Sequence, residues 1–241
     1  MLEKLTAIVL HTKKYRESSL LVYAYTDVFG RQTYIVNGVR SEKNKAGLAL
    51  FQPLTWLDAV ASHHPKSEIH RLREYRLWQP LHSIPFDITK NALALFIGEV
   101  LCKTIREQEP NAELFDFLCR AIHDLDALEQ GVANFHLYFL VHLLRYVGYA
   151  PGNNYFLETP YFDVPSGEFT PLRPTHDLFF DPPQTQLFAT LLNASPAQLS
   201  QIALHREQRN RFIDNMLSFL NHHFDTPVPI RSAAVLQEVF K

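Results

Sequence analysis

The first eighty residues alternate between short apolar segments and polar turns. Five of these segments have the β-branched and aromatic content that favours strands. They cover residues 6–10, 20–26, 33–37, 48–60 and 69–77. Pro53 lies inside the fourth segment and predicts two strand pieces or one strand bent at a sheet edge. Five short strands within about 75 residues are typical of a small Greek-key barrel such as the OB-fold.

The second and third segments form a predicted hairpin. Residues 27–30 (DVFG) join them, and Gly30 can take the positive φ that the end of a tight turn requires. A basic segment with Arg40, Lys43 and Lys45 follows the hairpin. Tyrosines beside lysines and arginines on a curled β surface suit a nucleic-acid backbone better than a small metabolite.

The last predicted strand alternates with a period of two, which sorts its side chains onto two faces. One face carries Ile69, Arg71, Arg73, Tyr75 and Leu77. The other face carries His70, Leu72, Glu74 and Arg76.

Beyond a linker bracketed by Pro80 and Pro85 the apolar period becomes helical. Helical stripes are predicted over residues 93–105, 114–125, 132–147, 184–192, 206–224 and 232–240. Residues 152–183 are irregular, although 161–164 and 167–169 could pair as a small hairpin. We therefore predict an α+β protein of two domains: an OB-fold barrel over residues 1–79, then an all-α bundle over 80–241 with an irregular insertion.

The balance of charged residues also differs between the two predicted domains. Residues 1–79 contain 12 Lys and Arg against 7 Asp and Glu, whereas residues 80–241 contain 11 against 18. A basic first module fused to an acidic remainder indicates that a polyanion is held by the first third. The alternative is that these cations only solvate the surface.

Composition also indicates where in the cell the protein is expected. The chain has no apolar run long enough to span a bilayer and no signal peptide, and its two cysteines argue against a disulfide framework. We expect a soluble protein of the reducing cytoplasm, associated with the nucleoid and with no membrane partner.

No catalytic constellation is present in the sequence. Phosphate-binding, nucleophile-elbow and dinucleotide motifs are missing, and eight glycines leave little room for backbone cradles. The pairs His63-His64 and His222-His223 cannot chelate a metal unaided, because adjacent side chains point in different directions. We expect a protein that is not an enzyme and needs no cofactor.

Several short segments follow one another in a characteristic order. In the first module they are residues 8–12 (IVLHT), 15–19 (YRESS), 25–26 (YT), 30–31 (GR), 37–41 (NGVRS) and 52–54 (QPL). The series continues to Leu143-Leu144, Gly148-Tyr149 and Pro151, and returns more weakly at residues 230–236 (IRSAAVL). Together these segments span nearly the whole chain in order and resemble the RecO family of bacterial DNA repair proteins.

The resemblance implies a recombination mediator. RecO proteins pair an OB-fold with a helical domain, bind single- and double-stranded DNA, and anneal complementary strands. They contact RecR and the single-stranded DNA-binding protein, and help to load RecA. Two alternatives remain: a protein-interaction scaffold with little DNA affinity, and a hydrolase or transferase using residues 152–183.

We expect the cations of the first module to form one DNA-binding face, with Tyr15 or Tyr34 available for base stacking. The predicted nucleic-acid-binding residues are Lys13, Lys14, Arg16, Arg31, Tyr34, Arg40, Lys43 and Lys45.

The resemblance also implies that the helical domain receives the C-terminal tail of the single-stranded DNA-binding protein. That tail is a short acidic peptide ending in an apolar residue and a free carboxylate, and it needs an apolar pocket with a cation at its rim. Arg120 and Arg145 are the cations we predict for this rim. The alternative is that they are ordinary surface arginines.

The sequence departs from the family in one respect. Many RecO proteins carry a four-cysteine zinc motif after the Gly-Tyr-x-Pro step, but residues 153–176 contain no cysteine here. We predict no zinc, because no closed ligand set exists. In its place we predict a small aromatic core of Tyr155, Phe156, Tyr161, Phe162 and Phe169.

Overall fold

Five strands at the start of the chain close into a barrel in the order β1-β2-β3-β5-β4, and β4 pairs back onto β1. They are β1 (Leu2–Tyr15), β2 (Ser19–Thr26), β3 (Gly30–Val36), β4 (Trp56–Ser62) and β5 (Ile69–Leu77). A short helix, α1 (Lys45–Ala49), lies between β3 and β4. This computed structural model describes residues 2–41, 45–64, 66–224 and 229–240, with the side chains of residues 45 and 46 outside that description. The predicted five-stranded barrel is confirmed.

Alternation along each strand fills the barrel. On β2 the residues Leu20, Val22 and Ala24 point inward, while Leu21 and Tyr23 lie on the outside. Small and branched side chains dominate the interior because the strands converge closely there. The buried cluster contains Leu5, Ala7, Val9, Leu20, Val22, Ala24, Tyr34, Val36, Val39, Phe51, Leu57, Ala59, Ala61 and Leu72.

Two helices follow the barrel strands, α2 (Ile88–Thr104) and α3 (Ala112–Ala127). They cover part of the barrel's outer surface, where Ile8, Leu10, Tyr25 and Trp56 are buried although they are not members of the inner cluster. Gly98 permits this approach: a Cβ at that position would lie 2.3 Å from the carbonyl oxygen of Leu10.

Because of this packing, the chain divides into compact units at Met1–Asp126 and Ala127–Lys241. The domain boundary predicted between residues 79 and 80 lies at the linker before α2. It stays a prediction, because the division into compact units places α2 and α3 together with the barrel.

A polar clamp fixes the linker before α2. The carboxylate of Asp126 accepts hydrogen bonds from the backbone N–H groups of His82 (2.7 Å), Ser83 (2.8 Å) and Ile84 (2.9 Å). Partial burial opposes ionisation, but these donated bonds outweigh it and lower the pKa of Asp126. The buried Lys90 ammonium donates to the Ser83 hydroxyl (2.7 Å) and to the Asp126 carbonyl (2.8 Å).

In the described part of the second unit, residues 127–224 and 229–240, there are four α-helices and a small sheet. Its helices are α4 (Phe135–Leu143), α5 (Pro182–Asn193), α6 (Arg206–His223) and α7 (Ser232–Val239), with 3₁₀ turns at Val132–Asn134 and Pro196–Gln201. Its strands are β6 (Tyr161–Asp163), β7 (Glu168–Thr170) and β8 (Phe179–Phe180), in the order β7-β6-β8. The predicted hairpin inside the irregular region is therefore present as β6 and β7, and β8 adds a third strand.

Phenylalanines hold this sheet to the helices. The ring of Phe162 lies 5.0 Å from Phe169, 5.4 Å from Phe180, 4.8 Å from Phe188 on α5 and 6.0 Å from Phe219 on α6. All five rings are buried, as is Phe212. We call these six residues the phenylalanine cluster.

The predicted aromatic core is right for Phe162 and Phe169 and wrong for Phe156, which is 64% exposed. Tyr155 and Tyr161 are only half-buried, and Tyr155 contacts the cluster edge-on, 5.2 Å from Phe169. The cluster reaches further than predicted because helices α5 and α6 supply three of its rings.

Candidate nucleic-acid interface

The end of β1 and the turn after it present three of the predicted cations to solvent: Lys13, Lys14 and Arg16 are all exposed. Arg16 has a φ of 53°, and its guanidinium lies 5.3 Å from the ring centre of Tyr15. Tyr15 is half-buried beside them. The structure therefore brings these cations and one tyrosine to the same end of the barrel, which we call the basic turn (residues 13–16).

Arg40 forms hydrogen bonds with the backbone at the end of this turn. Its Nη1 donates to the carbonyl oxygens of Arg16 (3.3 Å) and Glu17 (3.1 Å), and its backbone N–H donates to the Ser18 carbonyl (3.0 Å). A guanidinium engaged in this way fixes the turn that presents Arg16. Arg40 is a positioning residue here, whatever further contact its remaining N–H groups make.

Arg31 lies at the start of β3, and its guanidinium lies over the ring of Tyr23, as does the ammonium group of Lys13. It is half-buried, its backbone N–H donates to the Glu107 carbonyl (3.0 Å), and its Nη2 lies 3.8 Å from the sulfur of Cys102. Lys43 lies outside the described residues, and so does the side chain of Lys45.

The prediction that Tyr34 is available for stacking is wrong. Its side chain is 1% exposed and belongs to the barrel interior, and its hydroxyl lies 3.1 Å from Nε2 of His63. Burial raises the pKa of Tyr34 far above its ordinary value. Tyr34 is a core residue because β3 points its even-numbered side chains inward.

The aromatic ring that does face outward is Tyr23 on β2, which the sequence reasoning missed. Lys13 Nζ lies 5.5 Å from the centre of this ring and the Arg31 guanidinium 5.8 Å, which are cation–π distances. His11 stacks against it at 6.0 Å. The sequence held a signal for it: Val22 and Ala24 alternate with Leu21 and Tyr23, so an inward Val22 and Ala24 place Tyr23 outside.

Burial lowers the pKa of two stacked histidines of the barrel, His63 and His70. His63 stacks between Phe29 (3.9 Å) and His70 (3.8 Å). Burial, and then the neighbouring His70, lower the pKa of His63 to about 4. Within the described ranges, no group of three or more His, Cys, Asp and Glu side chains is arranged to hold a metal ion.

The two arginines predicted for the peptide rim are both exposed, but they belong to different compact units, Arg120 on α3 and Arg145 just after α4. Arg145 borders a cavity of about 480 Å³ in the second unit. Val141, Pro151, Phe169 and Leu192 line it with apolar groups. The side chains of Asn153 and Asn193 also line the cavity, so its walls are both apolar and polar.

No described helix combines the length and apolar character needed to cross a membrane.

Comparison with known proteins gives matches along nearly the whole chain. The family model for the N-terminal part of recombination protein O matches residues 1–81, and the model for its C-terminal part matches residues 85–231. A DNA repair protein RecO of Phocaeicola vulgatus is 33% identical over 241 residues, with all of both chains covered. One from Bacteroides fragilis is 34% identical over 242 residues, again over both full chains, and one from Flavobacterium psychrophilum is 34% identical over 238 residues and 98% of each chain.

Proposed function

Because the chain belongs to the RecO family of DNA repair proteins, we propose that it is a recombination mediator that acts by binding DNA and proteins rather than by breaking bonds. In this proposal it binds single- and double-stranded DNA and anneals complementary strands in the bacterial cytoplasm, on the nucleoid. Together with RecR it helps to load the RecA recombinase.

The observation that carries the DNA-binding part is the basic turn. Lys13, Lys14 and Arg16 are exposed and adjacent, and Arg40 fixes the backbone that presents them. Exposed ammonium and guanidinium groups can contact phosphate oxygens whatever the base sequence. Such contacts release counterions, so affinity should fall steeply with salt.

The double variant Lys14→Gln with Arg16→Gln tests this part. It removes two phosphate contacts while leaving Arg40 and the turn in place. The slope of log affinity against log salt should fall by roughly 1.4 for single strands and 1.8 for duplex. Fluorescence anisotropy with labelled oligonucleotides at several salt concentrations measures it, with Arg206→Ala on α6 as a matched exposed-arginine control.

An unchanged slope would remove the basic turn from the interface. If the wild-type protein shows no salt-dependent DNA binding at all, that result would support the alternative function, a protein-interaction scaffold with little DNA affinity. The engagement of Arg40 with backbone carbonyls favours that alternative, because it leaves fewer free cations than the sequence indicated.

The second part of the proposal concerns the tail of the single-stranded DNA-binding protein. The cavity beside Arg145 would take the aromatic side chain of the tail, and the guanidinium would pair with its terminal carboxylate. Its lining includes Tyr155 and His142, whose imidazole has its pKa lowered by burial and lies with Nε2 3.1 Å from the Leu191 carbonyl oxygen. A neutral His142 leaves Arg145 as the cation of this cavity.

Replacing Arg145 by Ala should abolish binding of a tail peptide measured by calorimetry, and Arg145→Lys should keep part of it. A peptide with an amidated C-terminus should bind the wild-type protein as poorly as the normal peptide binds the Ala variant. Arg120→Ala, made separately, shows whether the other predicted arginine takes part. Full affinity in both Ala variants would move the site elsewhere.

A further inference from the structure

The barrel closes through one short pairing, which leaves part of β5 without a strand neighbour on that side. Strands β3 and β5 pair from Thr33 beside Ile69 to Ile35 beside Arg71. β5 continues past these residues to Leu77. Within the described ranges, residues 72–77 have β4 as their only strand neighbour. One edge of β5 is therefore open beyond Arg71.

The pairing with β4 shows which backbone groups lie on that edge. In an antiparallel pair, the N–H and C=O groups of successive residues point alternately towards the partner strand and away from it. The N–H of Trp78 donates to the carbonyl of Trp56 (3.0 Å), so the backbone groups of Leu77 and Tyr75 point away from β4. In the described part of the chain, neither residue forms a backbone hydrogen bond with a further strand or loop. We call residues 74–77 the open edge.

The side chains of the open edge do not protect it from pairing. Edge strands are commonly protected by a proline or by a charge that points inward. Here the inward-pointing residues are Tyr75, whose ring packs against Phe51 at 4.9 Å, and Leu77, which lies opposite the interior Leu57. The bulge at Arg73 also limits pairing, but it lies before the open edge. The open edge can therefore accept another strand.

The outward-pointing residues of the open edge carry opposite charges. Glu74 and Arg76 are both exposed and lie two positions apart on the same face. Arg76 also forms an ion pair with Asp58 on β4, but its side chain is still 81% exposed. An antiparallel strand of the same sequence can therefore meet both charges with their opposites.

Charge selects one register for such a pair. If Tyr75 of one copy lies opposite Tyr75 of another, each Glu74 lies opposite an Arg76, and opposite charges that face each other stabilise a strand pair. Centring the pair on Arg76 would place two arginines opposite each other, which is unfavourable. Centring it on Leu77 would place most of each strand beyond the end of its partner, because β5 ends there.

We propose that the open edge is a contact between two copies of this chain, which pair antiparallel with Tyr75 on the two-fold axis and with two ion pairs between Glu74 and Arg76. Such a contact is isologous, because both copies use the same surface. Its few residues bury less area than a standard interface, so the association is weak. Two copies bound to one nucleic-acid strand would meet at a higher effective concentration.

This inference deepens the proposed function and rests on it for its biological role. Annealing requires that two strands be brought together, whereas one copy presents a single basic turn. A pair of copies presents two basic turns, one for each strand. The contact itself does not involve DNA, so it can be tested without DNA.

Disulfide trapping tests the register with the full chain. Glu74→Cys and Arg76→Cys, purified separately and then mixed under mild oxidation, should form a cross-linked dimer. Opposite Cα atoms of a non-hydrogen-bonded pair lie about 4.5 Å apart, within the span of a disulfide. Each variant alone should give no more dimer than the wild type, in which Cys102 and Cys119 set the background. Mass spectrometry of the cross-linked peptides identifies the joined residues.

Charge reversal tests the same contact without new cysteines. Glu74→Arg and Arg76→Glu should each weaken self-association about tenfold in sedimentation equilibrium, since two attractive pairs become repulsive. An equal mixture of the two variants should recover the wild-type association, because unlike copies again carry complementary charges. The matched control is Glu68→Arg, which reverses an exposed charge just before β5 and should have no effect.

Strand annealing supplies the functional readout. Each charge reversal should slow the annealing of complementary oligonucleotides, and the mixture should restore it. The absence of a cross-linked dimer in the cysteine mixture would overturn the inference, and so would equal trapping in each cysteine variant alone or self-association that neither reversal weakens. A wild-type protein that neither binds DNA nor anneals strands would instead refute the proposed function, and the trapping experiment would still decide whether the contact exists.

Discussion

The barrel and the phenylalanine cluster each stabilise a β-sheet, but they do so in different ways. The barrel strands pair in a closed ring of hydrogen bonds, so their outer side chains are free to face solvent or a ligand. In the second unit the strands are only two or three residues long, too short to be stable by pairing alone, and six phenylalanines from strands and helices pack around them. The barrel sheet is therefore stabilised by closed strand pairing as well as by its core, whereas the short sheet of the second unit depends on the packing of its phenylalanines.

The largest test of this contrast is Phe162→Ala. Removing the central ring of the cluster leaves a cavity and should cost about 3–5 kcal/mol of unfolding free energy in the second unit. Both tryptophans, Trp56 and Trp78, lie in the first unit, so tryptophan fluorescence reports on the barrel while circular dichroism at 222 nm reports on the helices of both units.

Denaturation followed by dichroism should shift strongly in this variant, and the fluorescence transition should stay within the error of the wild type. The control is Phe156→Ala, which removes an exposed ring and should change stability by less than about 0.5 kcal/mol. Equal shifts of both signals would mean that the two units unfold together.

A smaller effect is expected of pH on the unfolding free energy of the barrel. The folded barrel keeps His63 neutral because the pKa is lowered to about 4, whereas the unfolded chain binds a proton near pH 6.5. The stabilisation is therefore complete above pH 6.5 and is lost as the pH falls towards 4, with a slope of at most about 1.4 kcal/mol per pH unit for this one group.

His63→Gln should flatten that slope in the fluorescence transition, with denaturant midpoints measured between pH 4 and 7. The dichroism transition should keep its own acid sensitivity, because burial lowers the pKa of His136 in the second unit to about 3. A fluorescence slope unaltered by His63→Gln would assign the acid sensitivity of the barrel to other groups, His70 first among them.

The smallest expected effect is that of metal removal. Residues 153–176 contain no cysteine, and within the described residues no group of three or more His, Cys, Asp and Glu side chains is arranged to hold a metal ion, so chelators should leave the melting temperature of this chain unaltered. Elemental analysis of the purified protein should find no stoichiometric zinc. One zinc per chain, or a fall in melting temperature with chelator, would contradict the prediction.

Much of the fold could be predicted because its signals are local. Alternation and turn residues gave the barrel, and the small hairpin of β6 and β7 was visible in its phenylalanines. The predicted faces of β5 are wrong past Leu72, because a bulge opposite Val60 and Ala61 interrupts the alternation. Tyr75 therefore packs against the barrel interior, while Ile69 and Arg71 stay outside. A bulge depends on the partner strand, so a period read along one strand cannot show it.

The candidate site was harder to predict for the same reason. Tyr23 and Tyr34 lie on adjacent strands: alternation with Val22 and Ala24 places Tyr23 on the outside, whereas Tyr34 packs in the barrel interior. The role of Arg40 depends on carbonyl groups more than twenty residues away in the chain. Such contacts join residues that are far apart in the chain, so a pattern read along one segment does not show them.

The pairing between β3 and β5, which we call a seam, affects where the barrel opens locally. In the described part of the chain these strands pair over only three residues, in parallel, whereas the other seams are antiparallel and longer. Amide protons there should exchange with solvent earlier than those of β1 and β2, since short seams open at a lower free-energy cost. The same opening would separate Ile35 from Arg71. A ligand that binds only while these strands are paired would raise the free-energy cost of that opening and slow amide exchange along this seam.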